Sequence, residues 1–257
     1  MNVLLLLTII LFILMVLIGG KKGVRSFFSL FLNFGVIFLT ILFMLDPQSN
    51  TVIVTLIACV MISCINLFYI NEVNGPTITA FIATLLTIII LLSFIHIVTE
   101  YTMIQGFGEE EIEELSIFSF YVGVDFVKIV AAVIIMSAIG AMMDVAISIT
   151  TSMHEIFHHN PLLGKKDLFR SGLSVGRDIL GTDTNTLFFA FFGSYLGLLI
   201  WFKDLSYSFG EIVNSKVFSA EMITILCSGI GIALVIPIAS WMSAYSLTRN
   251  KEKSQHM

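Results

Sequence analysis

Charge is scarce in this chain. Asp, Glu, Lys and Arg together make up 12% of its 257 residues, about half of what a soluble domain of this size carries. A water-exposed surface over most of the molecule is therefore excluded. Cysteine is nearly as rare. Cys59, Cys64 and Cys227 all lie within apolar runs and show no ligand spacing, which argues against a disulfide framework or a thiolate metal centre and leaves them as small core residues. No basic patch marks a nucleic-acid partner. The net charge of −5 points to no acidic or basic partner either, because five of the acids, Glu109, Glu110, Glu111, Glu113 and Glu114, crowd into one loop, the usual mark of a solvated face. No polar stretch is long enough to fold as a soluble domain. No internal repeat is evident, so an inverted-repeat transporter contained in one chain is not supported.

Apolar sequence is what the chain has in abundance, with 57% hydrophobic residues and a mean hydropathy of +0.99. Crossing the hydrocarbon core of a bilayer, about 30 Å thick, takes roughly 20 such residues in a helix. The runs 3–18, 27–45, 52–70, 77–98, 126–149, 178–202 and 222–245 qualify. The first is not read as a cleaved signal peptide, because Lys21, Lys22 and Arg25 follow it rather than precede it. Most of the basic residues fall in 19–26, 150–177 and 246–257, on one side of this alternation, while the acidic loop near 100–121 falls on the other. Basic loops are retained in the cytoplasm during insertion. The expectation is an all-α polytopic membrane helix bundle of about seven transmembrane helices. It forms a single transmembrane domain over 1–257, with the N-terminus outside and the C-terminus cytoplasmic. Trp201, Tyr195, Trp241 and Tyr245, toward span ends, match an interfacial aromatic belt.

Polar chemistry concentrates between Gly140 and Gly193. On a helix, Gly140, Asp144, Ser148, Ser152 and Glu155 recur every three or four residues and share one face. Asp144 lies about 8 Å inside the inner interface at the helical rise, and its face is expected to look into the bundle. The next span brings in Arg177, Asp178, Thr182, Asp183, Asn185 and Thr186, with Asp183 expected near the depth of Asp144. Gly140, Gly172, Gly176, Gly181 and Gly193 would let neighbouring helices approach closely. An ionised Asp at a helix centre costs roughly 2.5–3.5 kcal/mol. Two must be offset by Arg177 as a partner, by protonation or by a water-filled cavity. A satisfied interhelical hydrogen-bond network would be structural. Two carboxylates and hydroxyls at one depth would form a proton or cation relay.

The same segment spells H-E-x-x-H at His154, Glu155 and His158. That spacing puts two imidazoles on one helical face with an adjacent general base, the construction of zinc metalloproteases. Asn160-Pro161 ends the helix directly afterwards, and no third ligand stands at a recognisable spacing unless Asp144 or Asp167 is recruited. The expectation is accordingly no enzyme, no resident metal and no cofactor.

Gly140 to Ile149 reads G-A-x-M-D-V-A-x-S-I, Met153 to Ile156 reads M-x-E-I, Ser171 to Thr182 reads S-G-x-x-x-G-R-D-I-x-G-T, and Asn185 to Leu187 reads N-T-L. In these positions the chain resembles the YibE/F family of multi-pass bacterial membrane proteins. The resemblance implies a plasma-membrane location and a second membrane protein of the same family as partner, and it assigns no biochemical activity. Asp183 stands where the family pattern has an apolar residue, and His154 and His158 lie outside that pattern. A fainter similarity runs to resistance–nodulation–division permeases and sterol-sensing domains. They share the order Gly140-x-x-x-Asp144, Glu155, Gly176-Arg177-x-Ile179 and Thr186, and in those permeases the helix carboxylate relays protons. Besides the lipid bilayer and a related subunit, the expected ligand is an unknown small solute or ion. The preferred function is a transporter or permease subunit. A non-catalytic assembly protein is the first alternative, and a metalloprotease the second.

Overall fold

The computed structural model describes residues 2–46, 48–106, 125–204 and 206–255. Among these residues every regular element is helical: α1 (Val3–Met44), α2 (Thr51–Cys64) continuing as a π-helical turn (Ile65–Tyr69), α3 (Gly75–Tyr101), α4 (Phe126–His159), α5 (Lys165–Ser194), α6 (Leu196–Asp204), α7 (Phe209–Asn214) and α8 (Lys216–Gln255). The acidic run Glu109–Glu114 lies outside the described residues.

Polar caps place the helix starts. Asn50 accepts from the backbone N–H groups of Val52 and Ile53 at the head of α2. Asn74 and Thr77 form a reciprocal capping box at the head of α3, where Pro76 also supplies a backbone angle suited to a first turn. Asp125 accepts from Val127 and Lys128 at the head of α4 and pairs with the Lys128 ammonium at 3.0 Å. That ion pair and hydrogen bond hold the Asp125 carboxyl below the usual carboxylate range. Ser208 and Glu211 box the short α7, and the Ser208 bonds lower the Glu211 carboxyl in the same way.

Among the described residues, five helices are individually long and apolar enough to cross a membrane. They become six if α5 and α6, bent by 55° at their junction, form one broken span. The expected sixth span, 178–202, is thus not one straight helix. It begins within α5, breaks beside Gly193 and Ser194, and finishes in α6. The expected inner loop of 150–177 contracts as well. Helix continues to His159 and resumes at Lys165, because hydropathy reports where apolar sequence stops rather than where a polar helix stops.

α1 is not one rod. At Gly20 the backbone turns to φ 53°, ψ −132°, outside the helical region. The ring of Phe12 then lies 4.7 Å from that of Phe27, although 15 residues of straight helix would separate them by about 22 Å. The chain doubles back at a residue whose positive φ suits glycine. A side chain at Gly23 would overlap the Met15 carbonyl, so the two limbs touch there. The expected runs 3–18 and 27–45 occupy the separate limbs.

α4 is the central helix. It packs against α2, α3, α5 and α8, while α1 packs mainly against α2 and its π-helical extension. Ile134, Ile135, Ala138, Met142, Val145, Ala146, Ile149 and Met153 form its buried stripe. Inside a bilayer, lipid tails are as apolar as the core, so close approach of small residues must supply much of the helix adhesion. A Cβ at Gly172 would sit 2.5 Å from the Met153 sulfur and 2.7 Å from the Ser240 hydroxyl, and one at Gly176 would overlap Ile236. Gly231 gives similar room to Met142 and Leu91. These contacts set α5 antiparallel to both α4 and α8. The 2.6 Å Arg25–Glu72 ion pair joins the turn of α1 to the α2–α3 connection. Lys165 lies over the rings of Trp241 and Tyr245, joining the start of α5 to the far end of α8.

Candidate functional site: a polar strip on α4 and α5

At 100° per residue, positions 133, 137, 140, 144, 148, 151 and 155 of α4 fall within an arc of about 80° around the axis. Val133, Asp144, Ser148, Thr151 and Glu155 are exposed, and Ser137 and Gly140 are half-buried. Val133 and Asp144 are flanked by buried residues on both sides, Asp144 by Met143 and Val145, and Ser137, Gly140, Ser148 and Thr151 on one side. The Asp144 face therefore does not look into this chain's own bundle. It forms an open strip along the centre of the molecule. Met142, two residues from Asp144, meets Leu91 and Gly231 near the middles of α3 and α8, which places the aspartate deep in the bundle's height.

α5 supplies the other bank. Arg177, Asp178, Thr182, Asn185 and Thr186 are exposed and Asp183 is half-buried. Asp183 of α5 lies near Asp144 of α4. Arg177, expected as a possible partner, forms no ion pair among the described residues. The hydroxyls turn inward on their own helices. Ser148 Oγ donates to the Asp144 carbonyl at 2.7 Å, and Thr186 Oγ1 donates to the Thr182 carbonyl at 2.9 Å. No side-chain hydrogen bond joins α4 to α5 among the described residues. Of the expected packing glycines, Gly172 and Gly176 lie at tight helix crossings, whereas a Cβ at Gly140, Gly181 or Gly193 would meet nothing within 4 Å.

At one end the strip meets a pocket of about 300 Å³ lined by Val133, Tyr195, Lys216, Glu221 and Thr224. Tyr195 Oη donates to Glu221 Oε1 at 3.1 Å, and Lys216 Nζ donates to the Gln105 carbonyl at 3.3 Å. One turn along α4, Ser137 Oγ lies 3.2 Å from Ser228 Oγ. At the other end, ligand atoms of Glu155, His158 and His159 lie within 4.8 Å of one another, all exposed. His154, the first histidine of the H-E-x-x-H spacing, is not in that group.

Sequence reading missed two polar features. The Glu221 pocket combines residues from distant segments and has no local signature. The second is Asn66 in the π-helical turn. It receives a 2.7 Å hydrogen bond from Asn33 Nδ2 on α1, and its carbonyl accepts from Asn71 at 3.1 Å. Asparagines inside two apolar runs were the available signal.

Long apolar helices packed through small residues, two of them carrying a polar strip, define a multi-pass membrane protein. The chain belongs to the YibE/F family: the model of YibE/F-like protein matches residues 7–249, nearly its whole length. No curated protein and no solved structure matches it. The likeness to resistance–nodulation–division permeases rests on motif order alone.

Proposed function

We propose that the chain is one subunit of a transporter in the bacterial plasma membrane, and that Asp144 with Asp183 relays protons or cations along the α4–α5 strip. The observation that carries this reading is one exposed carboxylate, a half-buried one near it and several exposed hydroxyls at mid-height of a membrane bundle. Lipid cannot be their neighbour. Two ionised aspartates facing hydrocarbon would cost several kcal/mol at roughly 2.5–3.5 kcal/mol each. A second bundle, from a membrane protein of the same family, closes the strip into a hydrated path. The paired ends of the strip support the same reading, since a pocket opens at one and a cluster of titratable side chains at the other. The path carries a small solute or ion.

With the limbs of α1 counted separately and α5–α6 as one broken span, the bundle crosses the membrane seven times. The basic residues of the α1 turn, the start of α5 and the end of α8 lie on the cytoplasmic side, and the N-terminus lies outside. The protein acts without a resident cofactor and is not an enzyme.

The exposed face also suits an assembly protein that merely docks a partner through Asp144, Thr182 and Asn185. Asp144→Asn separates the two. Proteoliposomes holding the chain with its partner, loaded with a pH-sensitive dye, are expected to lose proton flux on this substitution while the complex still co-purifies. A fully active Asn variant refutes the relay. Loss of the complex itself favours assembly.

A further inference from the structure

We propose that Glu155, His158 and His159 form a binding site for a divalent transition-metal ion at the inner end of the polar strip. This goes beyond the relay and does not depend on it, since Asp144 contributes no ligand.

The geometry comes first. The three residues stand at i, i+3 and i+4 on α4, so Glu155 lies between the two histidines on the helix surface, about 60° from one and 40° from the other. Their ligand atoms already lie within 4.8 Å of one another. Ligands held at 2.0–2.2 Å from one tetrahedral zinc ion are separated by about 3.3–3.6 Å, a closure that exposed side chains reach by small rotations. The imidazole rings stand at 86° to each other with centroids 5.7 Å apart, so the histidines are not stacked and both can turn an edge toward a common point.

Electrostatics comes second. These residues occupy the last turns of α4, ahead of the Asn160 cap. A helix C-terminus concentrates negative partial charge and unsatisfied carbonyls, which favours a cation. Histidines in that position are accounted for by the dipole alone. Glu155, just before the last turn, gains nothing from the dipole and is favoured by a cation bound beside it. No Lys or Arg pairs with Glu155 among the described residues. A bound dication supplies the missing charge.

The donor set selects the ion. Two imidazoles and one carboxylate suit zinc, cobalt or nickel and disfavour calcium and magnesium, which take oxygen ligands. Three ligands on an exposed surface leave coordination positions open, so the ion is exchangeable rather than a structural clamp. The site is also distinct from the H-E-x-x-H arrangement. It uses His159 instead of His154, and it employs Glu155 as a ligand, which leaves no free base for hydrolysis.

The full-length chain, purified in detergent with any affinity tag removed, is titrated with Co²⁺ while its visible ligand-field absorption is followed, and Zn²⁺ is then added as competitor. One Co²⁺ per chain, displaced by Zn²⁺, is expected. His158→Ala, His159→Ala and Glu155→Gln are each expected to weaken binding by about tenfold or more. His154→Ala and Asp144→Asn are expected to leave it unchanged. Absence of a saturable one-to-one signal overturns the site. So does a signal lost in His154→Ala and retained in His159→Ala. Because Asp144→Asn tests the relay and not the ligands, failure of either proposal is seen separately.

Discussion

Gly172 has no side chain to give, and that is its role. Its helix meets Met153 and Ser240 where any Cβ would lie within 2.8 Å of both side chains. Gly172→Val is therefore expected to destabilise the purified protein by about 1–3 kcal/mol, as overpacking of a close contact does, measured by thermal or denaturant unfolding in detergent. Gly181→Ala should leave the isolated chain's stability nearly unchanged, since nothing lies within 4 Å of its Cβ position. If it matters, it matters to a partner. At the head of α4, Asp125→Ala removes an N-cap usually worth about 1 kcal/mol. The paired carboxyl is held below its ordinary range, so it binds fewer protons folded than unfolded. Its contribution is complete above the unfolded pKa, near 4, and falls away as pH drops through the lower folded value. Both partners are about half exposed, so the ion pair itself adds little. A pH series of unfolding midpoints for wild type and Asp125→Ala checks this, and the two curves should converge in acid. At this scale much was legible. Counting residues led to the expectation of Asp183 level with Asp144, the pair on which the proposed relay rests. Which way that level faced was not legible, because a polar stripe looks the same whether its own bundle or another chain covers it.

Among the elements, the apolar runs marked the spans well and the breaks poorly. Hydropathy separated the limbs of α1 because Lys21, Lys22 and Arg25 interrupt them, yet the chain turns at Gly20 without a loop. It could not show that α5 starts at Lys165, since the helix there is polar and no window of apolar residues betrays it. Nor did it signal the π-helical turn at Ile65–Tyr69. Such turns insert a residue into the helical ladder and often accompany function. Here the turn carries Asn66, which meets Asn33 of α1. One oxygen of that asparagine pair, Asn33 Oδ1, is buried without a partner. Asn66→Leu is expected to cost about 0.6–2 kcal/mol, the range for an interhelical hydrogen bond in a membrane, and to loosen α1, which holds to the bundle mainly through α2 and its extension. Unfolding titrations and protease sensitivity of the α1 turn read the two effects separately. An Asn66→Leu protein as stable as wild type would show that the pair is incidental.

For the molecule as a whole, the central helix organises both adhesion and the candidate path. Its buried stripe of Ile, Ala and Met holds α2, α3, α5 and α8 together, while the opposite stripe presents Asp144, Ser148 and Glu155 to the outside. The same periodicity thus builds the fold and exposes the chemistry. Sequence reading identified the family motif and singled out its segment as the candidate site, because that segment is polar where its surroundings are not. It could not supply the pocket at Glu221 or the grouping of His159 with Glu155. The first depends on how α3, α4, α5 and α8 meet. The second follows from an i, i+3, i+4 geometry that a better-known spacing overshadowed.

An open seam of acids and hydroxyls has a consequence for how a cell must make this protein. On the proposed pairing, a solitary copy is an unfinished object in its own solvent, because an ionised Asp144 is costly on a wall facing hydrocarbon. Synthesis in step with the partner, and swift disposal of orphans by quality-control proteases, are the biological counterparts which that pairing predicts.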